Sequence, residues 1–242
     1  MILYNTILEK FGKKNFRVSS RFLFDKISGE YETERNNIMP KLSLLLLKEF
    51  LENTDTYNKV IIDYGCGTGI YWDELKSKKP KKIIGVENSA KMAKTLKLKF
   101  PETEIYLSDR NGKINSDIKA DVIICVLVLG YIKNIEKLFH TWEEHLNPSG
   151  TIFICDVHPD LLATGVPRNF QIGEIWYEVK HFIHSLDKVT DIARSLGFEE
   201  IAFNEKKYFS LEENKKSNQT PSPDLKKVIH IPFVYGITFR KK

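Results

Sequence analysis

Short apolar runs alternate with longer segments of helical period over most of the chain after Asn58. This alternation is typical of βαβ units, in which each crossover helix packs against a parallel sheet. Because the first five runs carry near-continuous Ile, Val and Leu, we expect those strands to be covered on both faces and to lie centrally in the sheet. The predicted strands are 60–63, 82–86, 104–107, 121–126, 151–156, 199–205 and 233–240, and the predicted helices are 71–78, 90–99, 135–145 and 186–196.

Three parts of the chain depart from this alternation. Residues 1–57 are predicted to form a helical cap, because KLSLLLLKEFLEN has an apolar face and FDKISGEYETERNNIMP is typical of a shorter helix that Pro40 interrupts or restarts. Residues 157–184 form an insertion between the fifth strand and the helix that follows it. The polar stretch 212–224 is predicted to be a flexible surface loop.

The composition permits a substantial core and excludes several classes of protein. With 242 residues, 42% of them hydrophobic, the chain is long enough for one large α/β domain or two small ones. The net charge of +5 comes mostly from scattered lysines, and the basic cluster 76–82 is predicted to be an exposed loop, so no specific nucleic-acid partner is expected. No run approaches the ~20 apolar residues of a membrane-spanning helix, and no membrane partner is expected.

The three cysteines indicate reduced thiols. Cys66, Cys125 and Cys155 fall in a Gly-rich turn or in apolar strand patterns, without the spacing of a disulfide framework. Together with an N-terminus that lacks the order of a secretory signal, this predicts a cytoplasmic protein. The oligomeric state has no signature in the sequence.

The segment VIIDYGCGTG carries the strongest chemical signal, because it places an acidic residue and three alternating glycines directly after a buried strand and before a helix. Gly65, Gly67 and Gly69 allow a sharp turn with no Cβ in the way, so that a ligand can lie against the backbone. Asp63 at the strand end could accept hydrogen bonds from a ligand ammonium or fix the turn. About twenty residues later the second strand ends in Glu87, a carboxylate suited to binding both hydroxyls of a ribose.

Two other interpretations of this turn are weaker. A Gly-rich turn can simply pack tightly, with Glu87 as a solvated strand end. A dinucleotide site requires G-x-G-x-x-G, in which the third glycine lets the helix approach the strand. This turn reads G-x-G-x-G and has Ile70 where that pattern needs Gly or Ala, so nicotinamide or flavin binding is disfavoured.

The order of the motifs resembles one known family. VIIDYGCGTG, IIGVENSAKM, IYLSDR, ADVIICVLVLGYI and HLNPSGTIFICD are similar, in this order, to the successive motifs of class I S-adenosylmethionine-dependent methyltransferases, and the resemblance extends from Phe22 to Arg240. It implies a Rossmann-like three-layer α/β sandwich whose mostly parallel, seven-stranded sheet has an antiparallel last strand. It also implies a single domain in which the helical cap is followed by a donor-binding half, 58–156, an acceptor-side insertion, 157–184, and a C-terminal half, 185–242.

The resemblance further implies a donor site at the strand ends, with S-adenosyl-L-methionine as the cofactor. Met92 and Cys66 have a plainer interpretation as core residues, since both residue types are often buried. Asp109 and Arg110 could equally form an exposed turn. The site that the family implies comprises Gly65, Cys66 and Gly67 at the methionine part of the donor, Glu87 at the ribose, Asn88, Met92, Asp109 and Arg110 at the adenine, Cys125 and Val126 near the amino group and sulfonium, and Tyr31 closing over the donor.

The transfer of a methyl group from a sulfonium needs mainly alignment, which can supply ~7 to 11 kcal/mol of the barrier, and a general base only if the acceptor arrives protonated. The candidates for that base are His158, directly after the fifth strand, and His184, just before a predicted N-cap. Tyr131 is a third catalytic candidate, but many small-molecule relatives carry a histidine at this position, which weakens a direct transfer of that histidine's role to Tyr131. Both histidines could instead be surface or capping residues. Trp176 and Tyr177 could line an aromatic acceptor pocket or pin the insertion to the core. The histidine spacings match no strong metal template, so no metal is expected.

The insertion, with its aromatic residues and histidines, favours a small-molecule acceptor that is methylated on O or N. An RNA or protein methyltransferase is the first alternative, but the sequence has neither a clustered basic face nor the N-P-P-Y type motif of methylation at base amino groups. A non-catalytic S-adenosylmethionine-binding module is the second alternative. The intact glycine turn and the acidic strand ends argue against that module.

Overall fold

A seven-stranded sheet forms the centre of the molecule. The computed structural model describes residues 16–109, 112, 113, 117–211 and 223–242. The described strands are β1 (Phe16–Val18), β2 (Val60–Tyr64), β3 (Lys82–Glu87), β4 (Glu104–Leu107), β5 (Ala120–Val126), β6 (Leu146–Val157), β7 (Asn169–Ile172), β8 (Ile175–Val179), β9 (Phe198–Lys206) and β10 (Val234–Lys241). The central sheet has the order β4-β3-β2-β5-β6-β10-β9, and only β10 runs antiparallel to its neighbours. The predicted mostly parallel sheet with an antiparallel last strand is confirmed.

Helices cover both faces of this sheet. The described α-helices are α1 (Ser20–Ile27), α2 (Ile38–Asn53), α3 (Trp72–Ser77), α4 (Ala90–Lys99), α5 (Ile135–His145), α6 (Pro159–Ala163), α7 (Leu186–Ser195) and α8 (Pro223–Val228). On one face α2 buries Leu46 against Phe153, and on the other α5 and α7 bury Trp142 and Val189 in the same core as Ile154. These layers form the predicted sandwich. In the part of the chain that the structure describes, no helix has the length and apolar character needed to cross a membrane.

The sequence of α5 explains its position. Ile135, Leu138, Phe139 and Trp142 recur at helical spacing, and all four are buried. Asn134 caps the helix by accepting a backbone amide of the first turn at 3.1 Å. The helix therefore begins and ends where the periodicity predicts.

Strand β4 lies at one edge of the sheet, which corrects the prediction that all of the first five strands are central. Its side chains are only partly buried. The chain runs from β2 outward to β4 and then returns to place β5 on the other side of β2. In open α/β sheets this reversal of strand order opens a crevice beyond the carboxyl ends of the strands, where ligands bind.

The N-terminal cap contains a short strand that the sequence did not predict. Strand β1 pairs in parallel with β8, with Phe16 opposite Tyr177, in a small sheet of order β1-β8-β7. Strands β7 and β8 are antiparallel and belong to the 157–184 insertion. The cap and the insertion therefore fold against each other, although more than a hundred residues separate them along the chain.

The helical parts of the cap follow their capping residues. Ser19 caps α1 by accepting the amide of Phe22 at 3.3 Å, and α1 ends at Ile27. A 3₁₀ helix, Tyr31–Asn36, follows. Pro40 lies in the first turn of α2, where its missing amide costs no helical hydrogen bond, so this proline restarts the helix. Most of the predicted surface loop, 212–222, lies outside the described residues, and its last two positions begin α8.

Candidate functional site

A cavity of about 510 Å³ lies where β2, β3 and β5 end. This volume falls within the roughly 300–1,000 Å³ that small-molecule sites occupy. The residues predicted from the sequence that line it are Tyr31, Gly65, Gly67, Glu87, Asn88, Met92, Asp109, Val126 and Tyr131. The rest of the wall comes from Leu127, which adjoins Val126 in the segment expected to face the donor, and from residues that sequence reasoning missed, namely Ser19, Ser20, Arg21, Phe24, Tyr64, Ser108, Gly112, Val128 and Ile132.

The glycine turn forms one wall of the cavity, and two of its glycines have no room for a side chain. Gly65 has φ +77°, and a Cβ on it would lie 2.3 Å from Val128 Cγ2. Gly69 has φ +75°, and a Cβ there would lie 2.4 Å from a leucine methyl group. Gly67 differs, because a Cβ on it would find Tyr31 Cε1 nearest, at 3.8 Å. A ligand can therefore approach the main chain at Gly67.

Glu87 joins the end of β3 to the glycine turn. Its buried carboxylate accepts the backbone amides of Gly67 and Asn88, both at 2.8 Å, and of Ser89 at 2.9 Å. Burial raises the pKa of this carboxyl above its usual value, while the three amides act in the opposite direction. Glu87, the residue predicted to bind the ribose, thus lies on the cavity wall and also holds the glycine turn in place.

Asp63 does not line the cavity. Its buried carboxylate accepts Trp72 Nε1 at 2.7 Å and so fastens the start of α3 beneath the glycine turn. Burial raises the pKa of Asp63 to about 7, and the hydrogen bond from Trp72 partly opposes this rise. Of the two roles predicted for Asp63, the geometry favours fixing the turn.

Two predicted donor-site cysteines lie behind the cavity wall. Cys66 and Cys125 are buried free thiols that do not line the cavity, and burial raises the pKa of both. Cys66 Sγ lies 2.8 Å from where a Cβ on Gly85 would be, so it packs between the turn and β3. Arg110 lies outside the described residues. The donor contacts predicted for the two cysteines stay predictions.

Aromatic side chains of the cap line the cavity beside the strand ends. The ring of Phe24 lies 5.9 Å from that of Tyr31 and 5.4 Å from that of Tyr131, both edge to face. Each such pair is worth about 0.5–1.5 kcal/mol beyond its buried area. Trp176 and Tyr177 are buried in the insertion and do not line the cavity, so they pin the insertion to the rest of the protein.

Polar side chains hold the cap against the glycine turn and α4. Ser89 Oγ donates to Asp25 Oδ1 at 2.6 Å, and Thr68 Oγ1 donates to Glu32 Oε1 at 2.6 Å. Lys99 Nζ adds an ion pair to the same oxygen of Glu32 at 2.9 Å. Sequence reasoning missed these contacts because the partners are 36 to 67 positions apart.

A buried charged network lies behind the opposite wall. Arg168 Nη2 and Asp156 Oδ1 are 2.5 Å apart, and Asp156 Oδ2 accepts the amide of Gly130 at 2.7 Å. The guanidinium carbon of Arg168 lies 4.9 Å from the ring centroid of Tyr131. Burial alone would lower the pKa of Arg168, but Asp156 and Tyr131 outweigh it and raise the pKa. Arg168, which the sequence did not single out, therefore stays charged directly behind a residue of the cavity wall.

Neither predicted catalytic histidine lines the cavity. His158 caps α6 by accepting the amide of Asp160 at 3.2 Å, and its Nε2 lies 2.8 Å from Glu205 Oε1. His184 Nε2 lies 2.9 Å from the carbonyl oxygen of Ile132, and burial lowers the pKa of its imidazole. Of the three catalytic candidates, only Tyr131 lines the cavity. Within the described ranges, no cluster of three or more His, Cys, Asp or Glu residues is arranged to hold a metal ion.

Known proteins are similar to this chain in sequence and in fold. A family described as "Methyltransferase domain" matches residues 32–202. The chain is 24% identical over 144 residues to the ubiquinone biosynthesis O-methyltransferase of Rickettsia felis, covering 56% of this chain and 59% of that protein. It is 26% identical over 171 residues to the tRNA U34 carboxymethyltransferase of Nautilia profundicola, covering 66% of this chain and 54% of that protein. The solved S-adenosylmethionine-dependent methyltransferase from Mesorhizobium loti superposes with a TM-score of 0.63 at 17% identity, covering 81% of this chain and 98% of that one. The chain spans 41–61% of the length of the curated relatives it matches.

Proposed function

This chain belongs to the family of class I S-adenosylmethionine-dependent methyltransferases, and we propose that it transfers the donor's methyl group to an oxygen or nitrogen atom of a small-molecule acceptor. The observation that carries this proposal is the aromatic lining of the cavity by the rings of Phe24, Tyr31 and Tyr131, which contact one another. The cavity has a volume of about 510 Å³, which the nucleoside donor must share with the acceptor. This leaves room for a small acceptor.

The residues at the donor end fit S-adenosylmethionine, a molecule with two positive groups and a ribose diol. Glu87 supplies a carboxylate on the cavity wall. Within the described residues its Oε2 accepts one backbone amide, which leaves acceptor capacity for a ribose hydroxyl. At Gly67 a Cβ would come no closer than 3.8 Å to its nearest neighbour, Tyr31 Cε1, and the buried Met92 supplies an apolar wall for a flat base. When bound, the donor supplies a methyl group that its sulfonium already activates.

The chain's own part in the reaction is to align the reactants and exclude water. Aromatic rings of the cap line the cavity, and alignment can supply ~7 to 11 kcal/mol of the barrier. Tyr131 carries a hydroxyl that can orient an acceptor by a hydrogen bond, and Arg168 holds the ring from behind. His184 acts as a positioning residue, because its ring binds the carbonyl oxygen of Ile132, the residue that follows Tyr131.

RNA is the second candidate acceptor, since one relative is named for a tRNA modification. The cap argues against RNA, because Ser89 and Thr68 hold it over the strand ends through Asp25 and Glu32. A nucleotide within a folded RNA would have to enter beneath this cap.

A transfer assay with tritium-labelled S-adenosylmethionine separates these candidates. The protein is incubated with a low-molecular-weight metabolite extract, with bulk tRNA and with total cell protein. We expect label to accumulate in the metabolite pool and to be lost in the Glu87→Ala variant. Label in tRNA or in protein would overturn the proposal, and so would donor binding without label in any pool.

A further inference from the structure

The hydroxyl of Tyr64 is buried without a hydrogen-bond partner. Tyr64 ends β2, is 3% exposed, and packs its ring edge to face on Trp142 at a centroid distance of 5.6 Å. In the described part of the chain, no group bonds to its Oη. A buried polar atom that lacks a partner is unfavourable, and a phenylalanine would pack on Trp142 without it. Packing of the core therefore does not account for the hydroxyl.

Tyr64 belongs to the wall of the cavity. Tyr64 lines the cavity together with Ser108, Asp109 and Gly112. Gly112 has φ +83°, and a Cβ on it would lie 2.7 Å from Tyr64 Oη. The hydroxyl thus lies directly against the main chain of that wall, and the absence of a side chain at Gly112 keeps the wall thin there.

The hydroxyl is neutral and can both donate and accept. Burial raises the pKa of the Tyr64 phenol well above its usual value, with smaller contributions from Cys125 and Asp109. A neutral phenol offers one O–H donor and acceptor lone pairs. The edge of an adenine carries an amine beside ring nitrogens. The phenol can therefore accept from the amine or donate to a ring nitrogen.

We propose that Tyr64 Oη forms a hydrogen bond to the adenine base of the donor and helps to select that base, a role that rests on the donor site of the proposed function. Asn88, Met92 and Asp109, the residues predicted to surround the adenine, line the same cavity as Tyr64. Binding of the donor would then satisfy a polar group that the protein alone leaves unpaired.

Calorimetric titration with S-adenosylhomocysteine, the demethylated donor, tests this role. We expect Tyr64→Phe to weaken the affinity roughly three- to tenfold, as expected for one hydrogen bond. In the absence of ligand, the variant should melt at the same temperature as the wild type or higher, because the unpaired hydroxyl is gone. An unchanged affinity would overturn the proposal.

Tyr106→Phe provides the matched control. The Tyr106 hydroxyl donates to Glu104 Oε1 at 2.6 Å, and Tyr106 does not line the cavity. This variant loses a hydrogen bond of its own but should bind S-adenosylhomocysteine as the wild type does. If it weakens binding as much as Tyr64→Phe, the effect is not specific to the Tyr64 hydroxyl and the proposal falls.

A donor with an altered base locates the contact. S-inosylhomocysteine carries a carbonyl in place of the adenine amine. If Tyr64 contacts the base, the ratio of affinities for the two nucleosides should change about threefold or more in Tyr64→Phe. An unchanged ratio would overturn the assignment to the base. The acceptor enters neither measurement, so failure here would leave the proposed transfer reaction standing.

Discussion

Arg168→Met tests whether the buried network behind the cavity wall acts as a unit. The side chains of Arg168 and Asp156 are 7% and 3% exposed. Methionine keeps much of the apolar stem and removes the cation. Among the described residues, the buried Asp156 carboxylate then keeps the amides of Gly130 and Val157 as hydrogen-bond donors. Removing one partner of a buried ion pair costs about 3–5 kcal/mol. This is a large part of the roughly 5–15 kcal/mol by which domains are stable.

The expected loss is large enough to measure in two ways. At about 2–4 °C per kcal/mol for a domain of this size, the melting temperature should fall by about 6–20 °C. Urea unfolding followed by circular dichroism gives the free energy of unfolding directly. Asp156→Asn removes the opposite charge and keeps an oxygen that can accept the amide of Gly130. The double variant should be more stable than the sum of the single losses predicts, because it leaves no unpaired charge buried.

The exposed ion pair of Arg194 and Asp191 supplies the control. Their atoms are 3.1 Å apart, and both side chains are 70% exposed. Arg194→Met should change the free energy of unfolding by less than about 1 kcal/mol. The reasoning is refuted if Arg168→Met costs no more than this control, or if the losses from Arg168→Met and Asp156→Asn simply add.

Three further predictions concern the glycine turn and its carboxylates. Glu87→Ala should weaken the affinity for S-adenosylhomocysteine, measured by calorimetry, about 10- to 100-fold, because a hydrogen bond to a charged group is worth about 1.5–3 kcal/mol. A wild-type affinity in this variant would contradict the ribose contact. Burial raises the pKa of Asp63 from 3.8 to about 7, so the folded state binds this proton more tightly than the unfolded state does. The free energy of unfolding should therefore fall as the pH rises from about 4 to 7, and Asp63→Asn should remove on the order of 1 kcal/mol or more of that fall in urea titrations. An identical pH dependence of the free energy of unfolding in the wild type and in Asp63→Asn would contradict the raised pKa of Asp63. Gly65→Ala should lower the melting temperature more than Gly165→Ala does. Both glycines have positive φ, but only at Gly65 would a Cβ lie against Val128. Equal losses in the two variants would show that the clash with Val128 relaxes.

The sequence by itself determined the order of the elements and the cavity wall formed by the glycine turn and the end of β3. Strand and helix periods are local signals, so the predicted bounds of α4, α5 and β4 match the structure. Gly65, Gly67 and Glu87 could be predicted for the same reason. They stand directly at strand ends, and the parallel sheet brings those ends to one edge whatever packs around them.

Only the tertiary structure decided which side chains reach the cavity from the other parts of the chain. His158 and His184 had a plausible position in the sequence, yet their rings point to Glu205 and to the carbonyl of Ile132. Arg168 has no motif, and its place behind the cavity wall depends on how the insertion packs against the sheet. The direction of such a side chain is set by contacts between segments far apart in the chain, and those contacts leave no period or spacing in the sequence.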